Sequence, residues 1–146
     1  MPVISIDSPT VRIENTVTRY ISNSFASFWT SSMNFYTGLS NDDKVAPAII
    51  VCCHNAQETY FQTRVYSFDV EIAAKDIAAD TTTASFNSMA GNIFSLFGDS
   101  KTSSLSMNVS NSNLCVFQTQ VIDYANTHQE DSWGVSMNLK IVGALI

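Results

Sequence analysis

The sequence predicts a single α+β domain, a mostly antiparallel or mixed sheet of about five strands with two amphipathic helices packed on one face. Three observations carry that prediction. In two separate stretches apolar residues recur every three or four positions, the repeat of a helix with one buried face. In the runs TRVYSFDVEIAA and SWGVSMNLKIV they recur at nearly every second position, the repeat of a strand with one covered face. The 146 residues, 45% hydrophobic and 14% charged, supply enough apolar side chain for one core, and no linker, internal repeat or low-complexity tract divides residues 1–146.

The elements follow in chain order. Asp7, Ser8 and Pro9 set capping oxygens ahead of a proline, whose fixed φ and missing N–H suit a first helical turn. Ile13, Val17, Tyr20, Ile21, Phe25 and Phe28 then form one stripe, which places a helix over about 10–28. From Thr30 to Ala46 the pattern dissolves among Gly38, Asn41, Asp42 and Asp43, turn formers that predict a loop. Pro47 opens AIIVCCH, a continuous β-prone run expected to be covered on both faces, and NAQETYFQ is expected to break it. In the next run Tyr66, Phe68, Val70 and Ile72 share one face and Ser67, Asp69 and Glu71 the other, so the pair of strands reads as an antiparallel hairpin.

Asp80 or Thr82 offers a cap for a second helix carrying Phe86, Met89, Ala90, Ile93, Leu96 and Phe97, with Gly98 as a left-handed stop. After GDSK, the runs LSMNV, LCVFQTQVIDY and the closing segment from Trp133 are expected as strands, separated by Asn, Ser and the polar stretch His128 to Asp131. The predicted order is α-β-β-α-β-β-β. Whether the opening VISI adds a strand is open. Two helices on one sheet face would leave the other face rich in Ser, Thr, Gln and Asn, a candidate contact surface.

Composition narrows the function. Seven basic against thirteen acidic residues give a net charge of −6, opposite to what tight, non-specific DNA binding requires, yet compatible with a surface past which DNA slides. A polar complement of Ser, Thr and Asn is easier to desolvate than one of ions, which suits self-assembly. The longest apolar run, AIIVCC, falls far short of the roughly 20 residues of a membrane helix. MPVISIDSPT lacks the basic and apolar regions of a secretion signal, so a cytoplasmic site of synthesis is expected. Cys52, Cys53 and Cys115 make an odd count without disulfide spacing, which fits a reducing compartment, and the sequon at Asn108 is expected to be idle.

The chain carries little that looks like chemistry. Cys52, Cys53 and His54 are its single cluster of soft ligands, and on a strand Cys52 and His54 project together while Cys53 points away. Two ligands do not make a zinc site unless Cys115 and His128 join them; the plainer reading is cysteines acting as small hydrophobes. His54 and His128 with Asp69, Glu71 and Asp123 offer an acid–base pair only if a pocket gathers them, and solvated carboxylates are the plainer reading there too. No GxSxG, GxxxxGK[ST], HExxH or GxGxxG occurs. No catalytic, cofactor-binding or metal residue is assigned.

The opening helix, AIIVCC followed by TRVYSFDVEIAA, the helix ending NIFSLFG, and the acidic turn before tryptophan in QEDSWGVSMNLKIV resemble the tail terminator (tail completion) proteins of long-tailed bacteriophages, small α/β subunits of head-to-tail joining rings. The resemblance covers most of the chain, in layout and texture, and contains no short invariant motif. It implies a homo-oligomeric ring, expected as a hexamer, that caps the tail tube, stops its growth and docks to the neck or head-completion protein. DNA would pass through the lumen without tight binding. It further implies a virion tail or neck component assembled in the host cytoplasm, with no membrane, cofactor or enzymatic turnover. Alternatives are another virion structural subunit, of the tail tube or neck, and a small cone-shaped α+β enzyme or ligand-binding domain.

Because no motif transfers by position, candidate contacts come from the residues themselves. Glu58, Tyr60 and Phe61 sit at the expected hairpin tip, either as an anchor for a neighbour or folded on the core. Phe35 and Tyr36, in the predicted loop, are either pinned to the core or offered to a partner. Asp42 and Asp43 are candidate lumen acids or an ordinary solvated loop. Leu145 and Ile146, in the apolar ending VGALI, either complete the last strand or pack on a neighbour.

Overall fold

A computed structural model describes residues 9–25, 33–38, 45–59, 64–79, 81–110 and 114–145. In chain order these form α1 (Pro9–Phe25), β1 (Asn34–Thr37), β2 (Ala48–Glu58), β3 (Val65–Ile77), α2 (Thr83–Leu96), α3 (Ser100–Ser110), β4 (Leu114–Asn126) and β5 (Ser132–Leu145). The five strands make one mixed sheet in the spatial order β1-β2-β3-β5-β4. β1 runs parallel to β2, and every other pairing is antiparallel. The α+β class and the count of five strands match the sequence prediction.

Strand alternation gives the sheet two unlike faces. On one, Phe68 stands opposite Ile141, Val70 opposite Leu139, Ile72 opposite Met137 and Ala74 opposite Val135, all at most 5% exposed. Ile49, Val51 and Cys53 extend this row onto β2. Ile13, Val17 and Ile21 of α1, Phe86, Met89 and Ile93 of α2, and Met107 of α3 join the same cluster. Each such side chain contributes about 1.5–3 kcal/mol on burial, so this layer holds the fold together. Tyr20 ties α1 to the end of α2, stacking edge-on against Phe97 at 5.3 Å and donating its hydroxyl to Leu96 O at 2.8 Å.

Several boundaries differ from expectation. The first helix begins at Pro9 and is described to Phe25, and residues 26–30 lie outside the described set. The predicted loop contains β1, whose four residues pair with Ala48–Val51. Gly38, in the left-handed region at φ 73°, follows it and donates its N–H to Val51 O. NAQE does not break β2: an irregularity between Cys53 and Asn55 lets the strand run on to Glu58 against Phe68, Ser67 and Tyr66. Polar residues suffice there because the partner strand supplies the ladder.

Thr82 is the cap of α2, its hydroxyl accepting from Ser85 N at 3.1 Å, while Asp80 lies outside the described residues. Gly98 is not a left-handed stop; Gly38 is the one positive-φ glycine among the described residues. The chain turns directly into α3, whose cap is Asp99, with Oδ1 accepting from Lys101 N and Thr102 N at 3.0 and 3.2 Å. LSMNV is therefore helix, not strand. Buried Ser103, Ser104 and Met107 recur at the helical interval, and Leu105 between them is exposed. The observed order is α-β-β-β-α-α-β-β with three helices, β1 taking the place of the expected LSMNV strand. The opening VISI lies outside the described residues.

Candidate functional site

The residues with chemical potential are dispersed. His54 meets Glu71, Nε2 to Oε1 at 2.8 Å, and its Nδ1 lies 4.0 Å from Cys52 Sγ. The pair stands on the sheet face away from the core with side chains 47% and 35% exposed, where an ion pair contributes less than about 1 kcal/mol. Asp69 pairs with Asn55 instead, and Asp123 with Asn138 Nδ2 at 2.7 Å. His128 is a structural clip between α2 and the turn before β5. Its Nδ1 accepts from Gly134 N at 3.1 Å, which leaves Nε2 to donate to Asn87 Oδ1, and its ring meets Phe86 and Trp133 edge-on.

Cys115 lies at the start of β4, opposite Ala144 and away from Cys52 and His54 on β2. Among the described residues no three of His, Cys, Asp and Glu gather as a metal would require. Burial pushes the Cys53 thiol up to about 11 and raises Cys52 as well, which disfavours the thiolate that a metal ligand or nucleophile needs. A narrow hollow under α2, bounded by Ile72, Ala90, Ile93, Tyr124, Val135 and Met137, has no carboxylate, imidazole or thiol among its described lining residues.

What the sheet does present is an open polar face and two different edges. Across the face, Cys52, Glu71, Asn138 and Asp123 form one cross-strand row, and Asn55, Asp69, Lys140 and Gln120 another. Apart from Cys52 every one of these side chains is partly or fully exposed. The hydrogen bonds of Asn55 to Asp69 and Asn138 to Asp123 order the amides without desolvating them.

Each edge is guarded by a helix side chain. Where β1 ends, buried Glu14 of α1 accepts from Cys53 N at 2.7 Å, standing in for a missing strand. On β4, Asn108 of α3 does the same twice: Oδ1 accepts from Val116 N at 2.6 Å and Nδ2 donates to Val116 O at 2.9 Å. The hydroxyls of Ser103 and Thr119 meet at 2.6 Å beside it. Past Thr119 this cover ends, and residues 122–126 of β4 are exposed. Register shifts between Val116 and Gln118 and between Val121 and Asp123 leave Phe117 and Ile122 as extra residues, both more than half exposed.

Phe35 and Tyr36 are partly buried on β1: Phe35 meets Phe25 edge-on at 5.7 Å, and the Tyr36 hydroxyl accepts from Val45 N. Glu58 closes the β2–β3 hairpin by accepting from Arg64 N at 2.8 Å, with Arg64 in the left-handed region. Leu145 pairs with Leu114 and donates its N–H to Arg64 O, which places it within its own sheet. Tyr60, Phe61, Asp42, Asp43 and Ile146 lie outside the described residues. The apolar edge of β4 escaped sequence reasoning, although a signal was present. The neighbours Val116-Phe117 and Val121-Ile122 break the alternation of LCVFQTQVIDY, as a bulge that turns one residue outward does.

No family model and no curated protein matches the sequence. Among solved structures, the fold matches a chain of the virion of a native gene transfer agent (GTA) particle, with a TM-score of 0.58 over 91% of this chain and 95% of that chain at 10% identity. At that identity the likeness is one of fold, and it spans nearly the whole of both chains.

Proposed function

We propose that the chain is a structural subunit of a phage-like virion and, within it, a tail terminator: a subunit whose closed ring, expected as a hexamer, caps the tail tube, ends its growth and joins it to the neck. The observation that carries this reading is the end-to-end fold likeness to a virion chain, in line with the resemblance of the sequence to tail terminators. In this reading the protein works by binding. A patch repeated head to tail around a closed rotation yields a ring with two unlike rims, one for the tube and one for the neck protein. The acid surplus suits a conduit, because phosphates passing carboxylates are not retained as they would be by lysines.

The test is tail-tube growth from purified tube protein with and without this chain. The proposal expects tubes that stop lengthening, with labelled chain confined to their ends. Label spread along the tube would instead make it a tube subunit, and tubes that lengthen unchanged with no bound label would overturn the proposal.

A further inference from the structure

We infer that His128 is a pH-sensitive latch: while its imidazole is neutral it holds the β4–β5 turn, the start of β5 and α2 together, and it lets go when the ring charges. The inference is independent of the ring reading above and gives a role to the acidic turn before tryptophan. The buried N–H of Gly134 can only donate, so the Nδ1 that faces it at 3.1 Å carries a lone pair. The neutral ring then has its proton on Nε2, which donates to Asn87 Oδ1 of α2 at 3.1 Å. Both nitrogens are thus in use, one toward β5 and one toward α2. A second proton can enter only at Nδ1, where it would meet the Gly134 N–H head-on. The ring then has to leave its place, and the Asn87 bond goes with it. The unfolded chain takes up that proton freely and the folded chain only by giving up these bonds, so the latch weakens as pH falls.

The surroundings give that bond its reach. Thr127 N donates to Gly134 O at 2.8 Å, and a Cβ on Gly134 would collide with Thr127 Oγ1, so the turn closes tightly over β5. The His128 ring lies edge-on to Phe86 of α2 and Trp133 of β5 at 5.8 and 5.4 Å, and Trp133 Nε1 donates to Thr81 O just ahead of α2. Polar contacts thus tie α2 near its start, and Tyr20 ties it at Leu96 O, while the hollow lies beneath Ala90 and Ile93 between them. α2 contains no ionisable residue to offset an imidazolium. Of the charged groups on the other elements, Lys75 and Asp76 of β3 stand opposite Gly134 and Trp133, Glu130 and Asp131 share the turn, and Asp123 of β4 is held by Asn138. Among the described residues the imidazole bonds Gly134 and Asn87 and none of these. His54 is built the opposite way: its Nε2 meets Glu71, so the same proton creates an ion pair there.

The experiment is heteronuclear NMR of the isotope-labelled full chain from about pH 8 to about pH 5, the span in which imidazoles charge. At the alkaline end the long-range proton–nitrogen correlations of the His128 ring should show the Nε2–H tautomer. As the ring charges, exchange protection of the Gly134 N–H and of the Ser85, Phe86 and Asn87 amides should fall together by about tenfold, the effect of losing one hydrogen bond. His128→Asn keeps a carbonyl oxygen near the place of Nδ1 and cannot charge, so in that variant the acid step should vanish; His54→Gln should leave it unchanged. Asn87→Ala should keep the step at Gly134 and uncouple α2 from it. An Nδ1–H tautomer, a step that persists in His128→Asn, or α2 amides that stay protected while Gly134 opens would each overturn the inference. If His128→Asn does not fold, the wild-type tautomer and Asn87→Ala decide: uncoupling of α2 supports the latch, and unchanged coupling overturns it.

Discussion

Asn138 and Leu139 are neighbours on β5 and belong to different problems. Leu139, 2% exposed, faces the helices opposite Val70, whereas Asn138, partly exposed, stands opposite Glu71 and bonds Asp123. The same division runs along β3, where Phe68, Val70 and Ile72 alternate with Ser67, Asp69 and Glu71. Stability and surface chemistry are thus interleaved residue by residue through the centre of the sheet. A protein that works by contact can alter its open face with little effect on its fold, and a one-residue register slip would exchange the two faces.

The helix-covered face should show the largest effects. Leu139→Ala and Phe68→Ala should each lower unfolding free energy by about 2–5 kcal/mol in urea denaturation, the transfer loss plus the cavity left behind. Next come the guards of the edges. Glu14→Ala removes the acceptor of the Cys53 N–H and should cost about 1–3 kcal/mol. Asn108→Ala, which frees both backbone groups of Val116, belongs in the same range. A Cβ at Gly143 would come within 2.8 Å of Cys115 O, so Gly143→Ala should cost about 1–3 kcal/mol by forcing β4 and β5 apart. On the open face Asn138→Ala should stay within about 0.5 kcal/mol of wild type. An Asn138 effect as large as that of Leu139 would break the division between the faces.

The smallest effect concerns pH. Backbone and side-chain hydrogen bonds from Thr102, with a further contribution from Lys101, hold the Asp99 carboxyl below its usual range at the start of α3. Its folded pKa therefore lies below its unfolded one. The cap's contribution is complete above about pH 4 and is lost as pH falls through the depressed folded value. The melting-temperature gap between wild type and Asp99→Ala should narrow in acid and stay constant from neutral pH down to that window.

Most of the fold was legible because long periodic segments report their own burial. The stripe of α1 and the alternation of β3 and β5 follow from local pattern, as does the start of α2, for which Asp80 and Thr82 were both open and Thr82 is the cap. The failures have two causes, a distant partner strand for one segment and a cap with helix packing for the other. NFYT is four residues among turn formers, and it becomes a strand because Ala48–Val51 offers it a parallel ladder. LSMNV alternates like a strand, but the Asp99 cap and the packing of Ser103 and Met107 make it helical. The candidate surface was less legible. The neighbours Val116-Phe117 and Val121-Ile122 mark breaks in the alternation of their run, and its pairing with β5 shows that these breaks are two bulges at Phe117 and Ile122.

Native mass spectrometry of the untagged chain over a wide concentration range tests the central claim most directly. The account predicts a discrete closed species of about six copies in exchange with monomer, with no larger series. A monomer at every concentration, or an open-ended ladder of masses, would contradict it.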